Sequence, residues 1–273
     1  MTEEPFAVGP LRGHRQGSGP PALLLHGGAA VPDYLGSLAD ELAGIFTTYR
    51  YTQRGTPPSG GGPPYTVEAH MEDALSVLDT FGIDAAWAVG HSWGGHLALH
   101  FLVAHPERLL GVVAVDPLGA FPSAFAEMDE RRRLALSVEA NARLDSIESR
   151  RRTGEVTEAD LVERFALVWP TYFADPAKAI PAPARVGAEA SIEVNRSLVD
   201  HFERRTLVDG LPAAKSPVLF VHGEQSVIPT WSTTETAALI SGAEVVVVPP
   251  CGHFPWVECP GSVGDAVQGF LEQ

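Results

Sequence analysis

Apolar and polar positions alternate in blocks along the N-terminal half of the chain. "PALLLHGG" (21–28) is a wholly apolar run ending in His-Gly-Gly. A strand buried on both faces reads this way, because neither side of it meets water. "IFTTYRYT" (45–52) is β-branched and aromatic and predicts a second strand. In "TVEAHMEDALSVLDTFG" (66–82) the apolar positions recur at helical spacing. Thr66, with Glu68 two residues on, opens that helix and Gly82 stops it. "AAWAVGHS" (85–92) predicts a strand, "GGHLALHFLVAHP" (94–106) a helix ended by Pro106, and "LLGVVAVDPLG" (109–119) another strand. Strands and helices in alternation, with short connections, point to parallel pairing with helices on the sheet faces.

The pattern then breaks. From about Phe121 to about Leu211 no strand signal occurs, and residues 124–154, 157–176 and 190–205 read as charge-rich helices. Strands resume with "SPVLFVHGE" (216–224) and "AEVVVVPPCGH" (243–253), and the helical "GSVGDAVQGFLEQ" closes the chain. The expected organisation is one α/β core, residues 1–120 and 211–273, interrupted by a helical insertion over 121–210. The insertion leaves the sheet at a strand C-terminus, where open α/β sheets bind ligands, so it reads as a lid.

Composition narrows the class. A chain of 273 residues with 45% apolar and 19% charged residues can bury one large core and has the balance of a soluble globular protein. Its net charge of −15, from 34 acidic and 19 basic residues, repels phosphate backbones and anionic membranes. Nucleic-acid and membrane partners are therefore not expected, and a small-molecule substrate is. No apolar run approaches a membrane span, and "MTEEPFAVGP" is acidic, unlike a signal segment. Cys251 and Cys259 are too few for a disulfide framework, and Cys251 reads as a small loop filler. A cytoplasmic monomer or homodimer is the plain expectation.

Candidate chemistry centres on Gly90-His91-Ser92-Trp93-Gly94, a G-x-S-x-G pattern between a predicted strand and a predicted helix. A strand turning sharply into a helix exposes the serine hydroxyl and offers free N–H groups to a developing oxyanion. Trp93 supplies one such amide, and Gly28, in the loop after the first apolar strand, is the candidate for the second. A serine hydroxyl needs an imidazole as general base, and His253, in the Pro- and Gly-rich loop after the last strand, has the best setting. His26 and His222 read as turn supports. His96 and His100 lie four apart on one helix face, but no third ligand accompanies them, so a packed or solvated face outweighs a metal site. No metal and no cofactor is expected.

These residues resemble the α/β-hydrolase fold, and within it the proline iminopeptidase-like branch of capped serine hydrolases. The resemblance runs through "LLLHGGAA", "YRYTQRGTPPS", "AVGHSWGGHLALHFLVAHPERLLGVVAVDPLGA", "PVLFVHGE" and "CGHFPWVECPG". It implies an eight-stranded, mostly parallel sheet with helices on both faces and a helical cap. It also implies Ser92 as nucleophile, His253 as base, and an oxyanion hole at Gly28 and Trp93. Two positions depart from the pattern. Thr52 stands where relatives carry Asp before Gln-Arg-Gly, and Ser226 stands where the third triad member, an aspartate, is wanted. Three replacements are open, with Asp116 the first choice and Glu224 and Ser226 the alternatives. Asp116, at the end of "VVAVDP", resembles the acid of those dehalogenases and lipases that carry it after the strand following the nucleophile. Glu224 offers a longer side chain nearby, and Ser226 offers a neutral hydrogen bond.

In the insertion, Trp169, Tyr172 and Phe173 form an aromatic stripe suited to lining an apolar pocket. Glu139, Glu189 and Glu193 are the acids that would hold a substrate's amino group if the protein were an aminopeptidase. The arginine runs 131–133 and 150–152 read as solvated helix faces. The expected function is a cofactor-independent serine hydrolase that cleaves an ester or lactone of a small, largely apolar substrate. An aminopeptidase of the proline iminopeptidase type is one alternative. A non-hydrolytic binding protein on the same scaffold is another, and a cofactor-free lyase or oxygenase a third.

Overall fold

The computed structural model describes residues 2–273. A hairpin opens it, β1 (Glu4–Val8) and β2 (Leu11–Gly17), followed by β3 (Pro21–Leu25), α1 (Gly36–Leu42), β4 (Thr47–Thr52) and α2 (Val67–Thr80). Next come β5 (Ala86–His91), α3 (Trp93–Ala104) and β6 (Leu109–Val115). Four long helices follow: α4 (Ala124–Ala135), α5 (Val138–Thr153), α6 (Glu158–Val168) and α7 (Ala188–Glu203). The short α8 (Thr206–Gly210) leads back to β7 (Val218–Gly223). The chain ends with α9 (Thr230–Ala237), β8 (Glu244–Val248), α10 (Pro255–Glu258) and α11 (Ser262–Leu271).

All eight strands form one sheet in the order β1-β2-β4-β3-β5-β6-β7-β8. The hairpin runs antiparallel at one edge, and every pairing from β4 to β8 is parallel. The fold is the α/β-hydrolase fold. The unbroken apolar strands are explained by burial on both sides. Leu23 and Leu25 pack with Val77, Leu97 and Phe101 from α2 and α3, whereas Ala22 and Leu24 pack with Leu38, Leu42 and Val267 from α1 and α11. Successive strand side chains point to opposite faces, so each face of β3 needs its own helical layer.

Between β6 and β7 the chain holds helices and no strand. Ile147, Val156, Leu161 and Val186 of this insertion form a small apolar cluster that closes over Val31 of the loop after β3. Helix α7 is tied to the start of α2: the Tyr65 and Val67 amides donate to Glu193 Oε2 and Ser197 Oγ, at 3.1 and 3.0 Å. Among the described residues no helix is long and apolar enough to cross a membrane.

Cys251 and Cys259 are joined by a disulfide, which corrects the reading of Cys251 as a loop filler. The single turn of α10 folds the chain back, bringing the two Cα atoms to 6.4 Å, a separation that a disulfide spans.

Candidate active site

Ser92 sits between the last residue of β5 and the first of α3 with φ +56° and ψ −117°. A side chain with positive φ is strained, and it persists only where the surroundings enforce it. Here they do. A Cβ on Gly90 would overlap the Gly94 carbonyl, and one on Gly94 would overlap the Leu25 carbonyl of β3. Only glycines let the strand, the turn and β3 pass this close. Ser92 occupies the N-cap position of α3 yet gives its side chain to no cap. The hydroxyl is left free, and neither the Trp93 nor the Gly28 N–H finds an acceptor among the described residues.

His253 arrives from the loop after β8, buried to 3% exposure. Its Nδ1–H donates to Asp116 Oδ1 at 2.8 Å, from the residue that follows β6. Asp116 is fully buried and itself in the left-handed region, at φ +45°. Its carboxylate also accepts the Ser226 hydroxyl at 2.6 Å and the Gly223 N–H at 2.9 Å, and His222 lies 3.6 Å away. Burial raises the Asp116 pKa to about 6, against the downward pull of His222 and the two hydrogen bonds. Burial also holds the His253 imidazole down, with the Arg132 guanidinium acting in the same direction. The ring therefore rests neutral at physiological pH, with Nδ1 protonated toward Asp116. The one hydrogen bond of the His253 ring among the described residues is that from Nδ1 to Asp116, and none joins the ring to the Ser92 hydroxyl.

Two neighbours hold these groups in place. His91, one residue before Ser92, stretches across to the second loop: its Nε2–H donates to the His253 carbonyl at 2.8 Å, and its Nδ1 accepts the Tyr34 hydroxyl at 2.7 Å. The His253 amide donates to the Tyr172 carbonyl at 2.7 Å, so the helical insertion grips the same loop. On the other side, the Trp93 indole donates to Gln53 Oε1, and Gln53 Nε2 donates to the His26 carbonyl, at 3.0 and 2.9 Å.

Ser92, Trp93, Gly28 and His253 open onto one cavity of about 260 Å3. Its far wall comes from the insertion: Phe125 and Arg132 of α4, Arg151 of α5, Arg164 and Phe165 of α6, Trp169 and Tyr172, and Leu198 of α7. No aspartate or glutamate lines it among the described residues. A strained serine at a strand–helix elbow and the histidine of a buried His–Asp pair thus open onto one cavity.

A family model described as the alpha/beta hydrolase family matches residues 22–266. The chain belongs to that family. It is a hydrolytic enzyme. Along 95% of its length it is 27% identical to a 2-hydroxymuconate semialdehyde hydrolase of Pseudomonas putida, of which it covers 90%. Among solved structures, an alpha/beta fold family hydrolase from Bacillus anthracis superposes with a TM-score of 0.74 at 17% identity, over 98% of this chain and 99% of that one. An enol-lactonase from Burkholderia xenovorans superposes with a TM-score of 0.65 at 20% identity, over 99% of this chain and all of the other.

Not every residue singled out in the sequence reaches the cavity. Phe173 does not line it. That ring lies flat on Phe254, centroids 4.7 Å apart and planes within 3°, because the chain after Tyr172 turns into the core under the His253 loop. Glu224 is exposed, its backbone amide held by the Val248 carbonyl. Glu139 and Glu189 are exposed, and Glu193 is engaged with the Tyr65 amide. The reading of the arginine runs as solvated faces holds for some members and fails for two: Arg132 is only 6% exposed, and Arg132 and Arg151 both line the cavity. His96 and His100 are buried, with His96 Nδ1 donating to the Gly119 carbonyl at 2.9 Å and the two rings meeting at 3.1 Å. Thr52 is buried and its hydroxyl accepts the Asp33 amide at 3.1 Å. The part played by His91 and Tyr34 had no signal in the sequence beyond its adjacency to Ser92.

Proposed function

We propose that the protein is a serine hydrolase that cleaves an ester or lactone through an acyl-enzyme on Ser92. The observation that carries this reading is the buried hydrogen bond from His253 to Asp116 at the cavity that holds the strained Ser92. Ser92 Oγ attacks the substrate carbonyl carbon as its proton passes to His253 Nε2. The carbonyl oxygen becomes an oxyanion held by the Gly28 and Trp93 N–H groups. The carbon–oxygen bond to the leaving group then breaks, and the imidazolium returns the proton to the departing alkoxide. Water repeats the sequence in reverse roles and frees Ser92. Asp116 keeps the imidazole in the productive tautomer and stabilises its transient cation. Helices α4 to α7 act as the cap, and Phe125, Phe165, Trp169 and Leu198 make most of the pocket apolar.

An aminopeptidase would need acid beside the scissile bond for the substrate's ammonium group, and the cap glutamates Glu139, Glu189 and Glu193 lie outside the cavity. The test is labelling with a fluorophosphonate, together with turnover of para-nitrophenyl esters and of aminoacyl anilides. Wild-type protein is expected to be labelled at Ser92 and to cleave the esters, and Ser92→Ala to do neither. An unlabelled wild-type protein, or one that cleaves only the anilides, overturns the reading.

A further inference from the structure

We propose that Arg132 is an anion-binding residue of the Ser92 cavity, so that the ester or lactone cleaved there carries a free carboxylate. The inference rests on the hydrolase reading above and names the substrate class within it.

Helix α4 carries three successive arginines with different fates. Arg131 is exposed and satisfied by Glu127 at 2.6 Å and the Ser226 carbonyl at 3.0 Å. Arg133 is satisfied by Asp129 at 2.6 Å and Asp145 at 2.9 Å. Arg132, between them, turns inward and is more than nine-tenths buried on the cavity wall. Its polar contacts are weak. Asp129, already engaged by Arg133, lies 3.3 Å away, and the Tyr172 hydroxyl 3.4 Å away. Its Nε is buried with no partner among the described residues. A guanidinium withdrawn from water with unanswered donors is costly to the fold unless an anion completes it, and its planar fork matches a carboxylate.

The surrounding wall has the same sign. Arg151 and Arg164 line the cavity too, and both lean on one carboxylate, Glu148, at 3.3 and 2.5 Å. Three cations thus face a space that no acid lines among the described residues, inside a chain whose net charge is −15. Chance placement in so acidic a protein would favour the opposite sign. Ser92, His253 and Arg132 line the same cavity, so one small molecule can reach from the Ser92 hydroxyl to the guanidinium. The apolar residues that line the rest of the cavity, Phe125, Phe165 and Leu198 among them, suit a short hydrocarbon spacer.

The experiment compares pairs of equal chain length on wild-type protein: the mono-para-nitrophenyl esters of glutaric and adipic acid against para-nitrophenyl pentanoate and hexanoate. The half-esters are expected to have a kcat/KM about tenfold to a hundredfold higher, the range of one charge-assisted hydrogen-bonded contact. Arg132→Gln is expected to collapse that ratio toward one, and Arg132→Lys to keep part of it. A wild-type ratio of one or below overturns the proposal. So does a ratio that survives Arg132→Gln. A second reading needs neither turnover nor a folded Arg132 variant: adipate is expected to raise the melting temperature of the Ser92→Ala protein, and adipamide is not. Equal effects of the two, or none, overturn the anion site even if esters are cleaved. Failure of the hydrolase reading shows separately, as loss of fluorophosphonate labelling in the wild-type protein.

Discussion

The Ser226 hydroxyl donates to Asp116 Oδ1 at 2.6 Å, the same oxygen that takes the Nδ1–H of His253 at 2.8 Å. The position where the sequence resemblance wants an aspartate instead holds a hydroxyl that bonds the carboxylate of the residue after β6. Strands β6 and β7 are adjacent and parallel, so their C-terminal loops open side by side and either can reach the imidazole. Swapping the carboxylate from one to the other needs no change in backbone topology.

From that arrangement the three candidate acids separate. Asp116→Asn is expected to lower kcat toward an ester by about 10³- to 10⁴-fold, the loss that follows when an imidazole is held in the wrong tautomer. Ser226→Ala removes one of the bonds to the carboxylate and is expected to cost about tenfold. Glu224→Gln, at an exposed side chain, is expected to change little. Steady-state rates on one para-nitrophenyl ester check all three. If Glu224→Gln fell as far as Asp116→Asn, the acid would be misassigned.

The pH profile follows from the same pair. The proposed attack by Ser92 needs His253 neutral and Asp116 ionised. Burial raises Asp116 to about 6 and depresses His253, so acidification places one proton on the coupled pair near pH 6. Accordingly kcat/KM is expected to fall tenfold per unit below about 6 and to be flat above it. The groups facing the pair are His222 at 3.6 Å, the rings of His91 and Tyr172, and the guanidinium of Arg132. A positive charge favours the deprotonated form of both members, so Arg132→Gln is expected to move the acidic limb upward. A downward movement would contradict the geometry.

Much of this was legible in the chain because the parallel strands are buried on both faces and read as unbroken apolar runs. The runs around Leu23, Val89, Val113 and Phe220 announce themselves without help from context. The edge hairpin does not. In "LRGHRQG" only Leu11, Gly13 and Gln16 face inward, and Gln16 is polar, its amide bonded to Asp40, so no apolar alternation survives to be seen. The elbow and the His253 loop were readable from glycine and proline spacing. What sequence spacing left open was the acid, because the choice among Asp116, Glu224 and Ser226 depends on which loops lie side by side at the end of the sheet. The arginine pair hidden in runs of like charge escaped for a similar reason. Inward and outward members of "RRR" differ only by their angle on the helix, and the cavity wall decides which one is buried.

The disulfide brackets His253. Cys251 and Cys259 lie on either side of His253, and Cys251 is fully buried against the core that holds Phe254 and Trp256. Closing so short a loop restricts the unfolded chain by about 2 kcal/mol. The double variant Cys251→Ser, Cys259→Ser is expected to melt several degrees lower. Reduction of the native protein with a dithiol is expected to lower ester turnover in parallel with fluorophosphonate labelling, since a loosened loop misplaces the base. Unchanged melting and unchanged labelling after complete reduction would show that packing alone holds the loop.

His91 provides the last and most specific test, because it joins the Ser92 turn to the His253 loop. Its two ring nitrogens are both satisfied, by the Tyr34 hydroxyl and the His253 carbonyl, and burial keeps the ring neutral, which the donor–acceptor pattern requires. Replacing it with phenylalanine keeps the volume and strands two buried polar groups, each left without its partner at a cost of about 1–3 kcal/mol. Replacement with glutamine supplies one donor and one acceptor of similar reach. His91→Phe is therefore expected to lower the melting temperature and to reduce kcat by about ten- to a hundredfold with little change in KM, as the His253 loop relaxes away from Ser92. His91→Gln is expected to recover part of both. If the two variants behaved alike, the histidine would be acting through its volume and the hydrogen-bonded link would carry no weight in positioning the base.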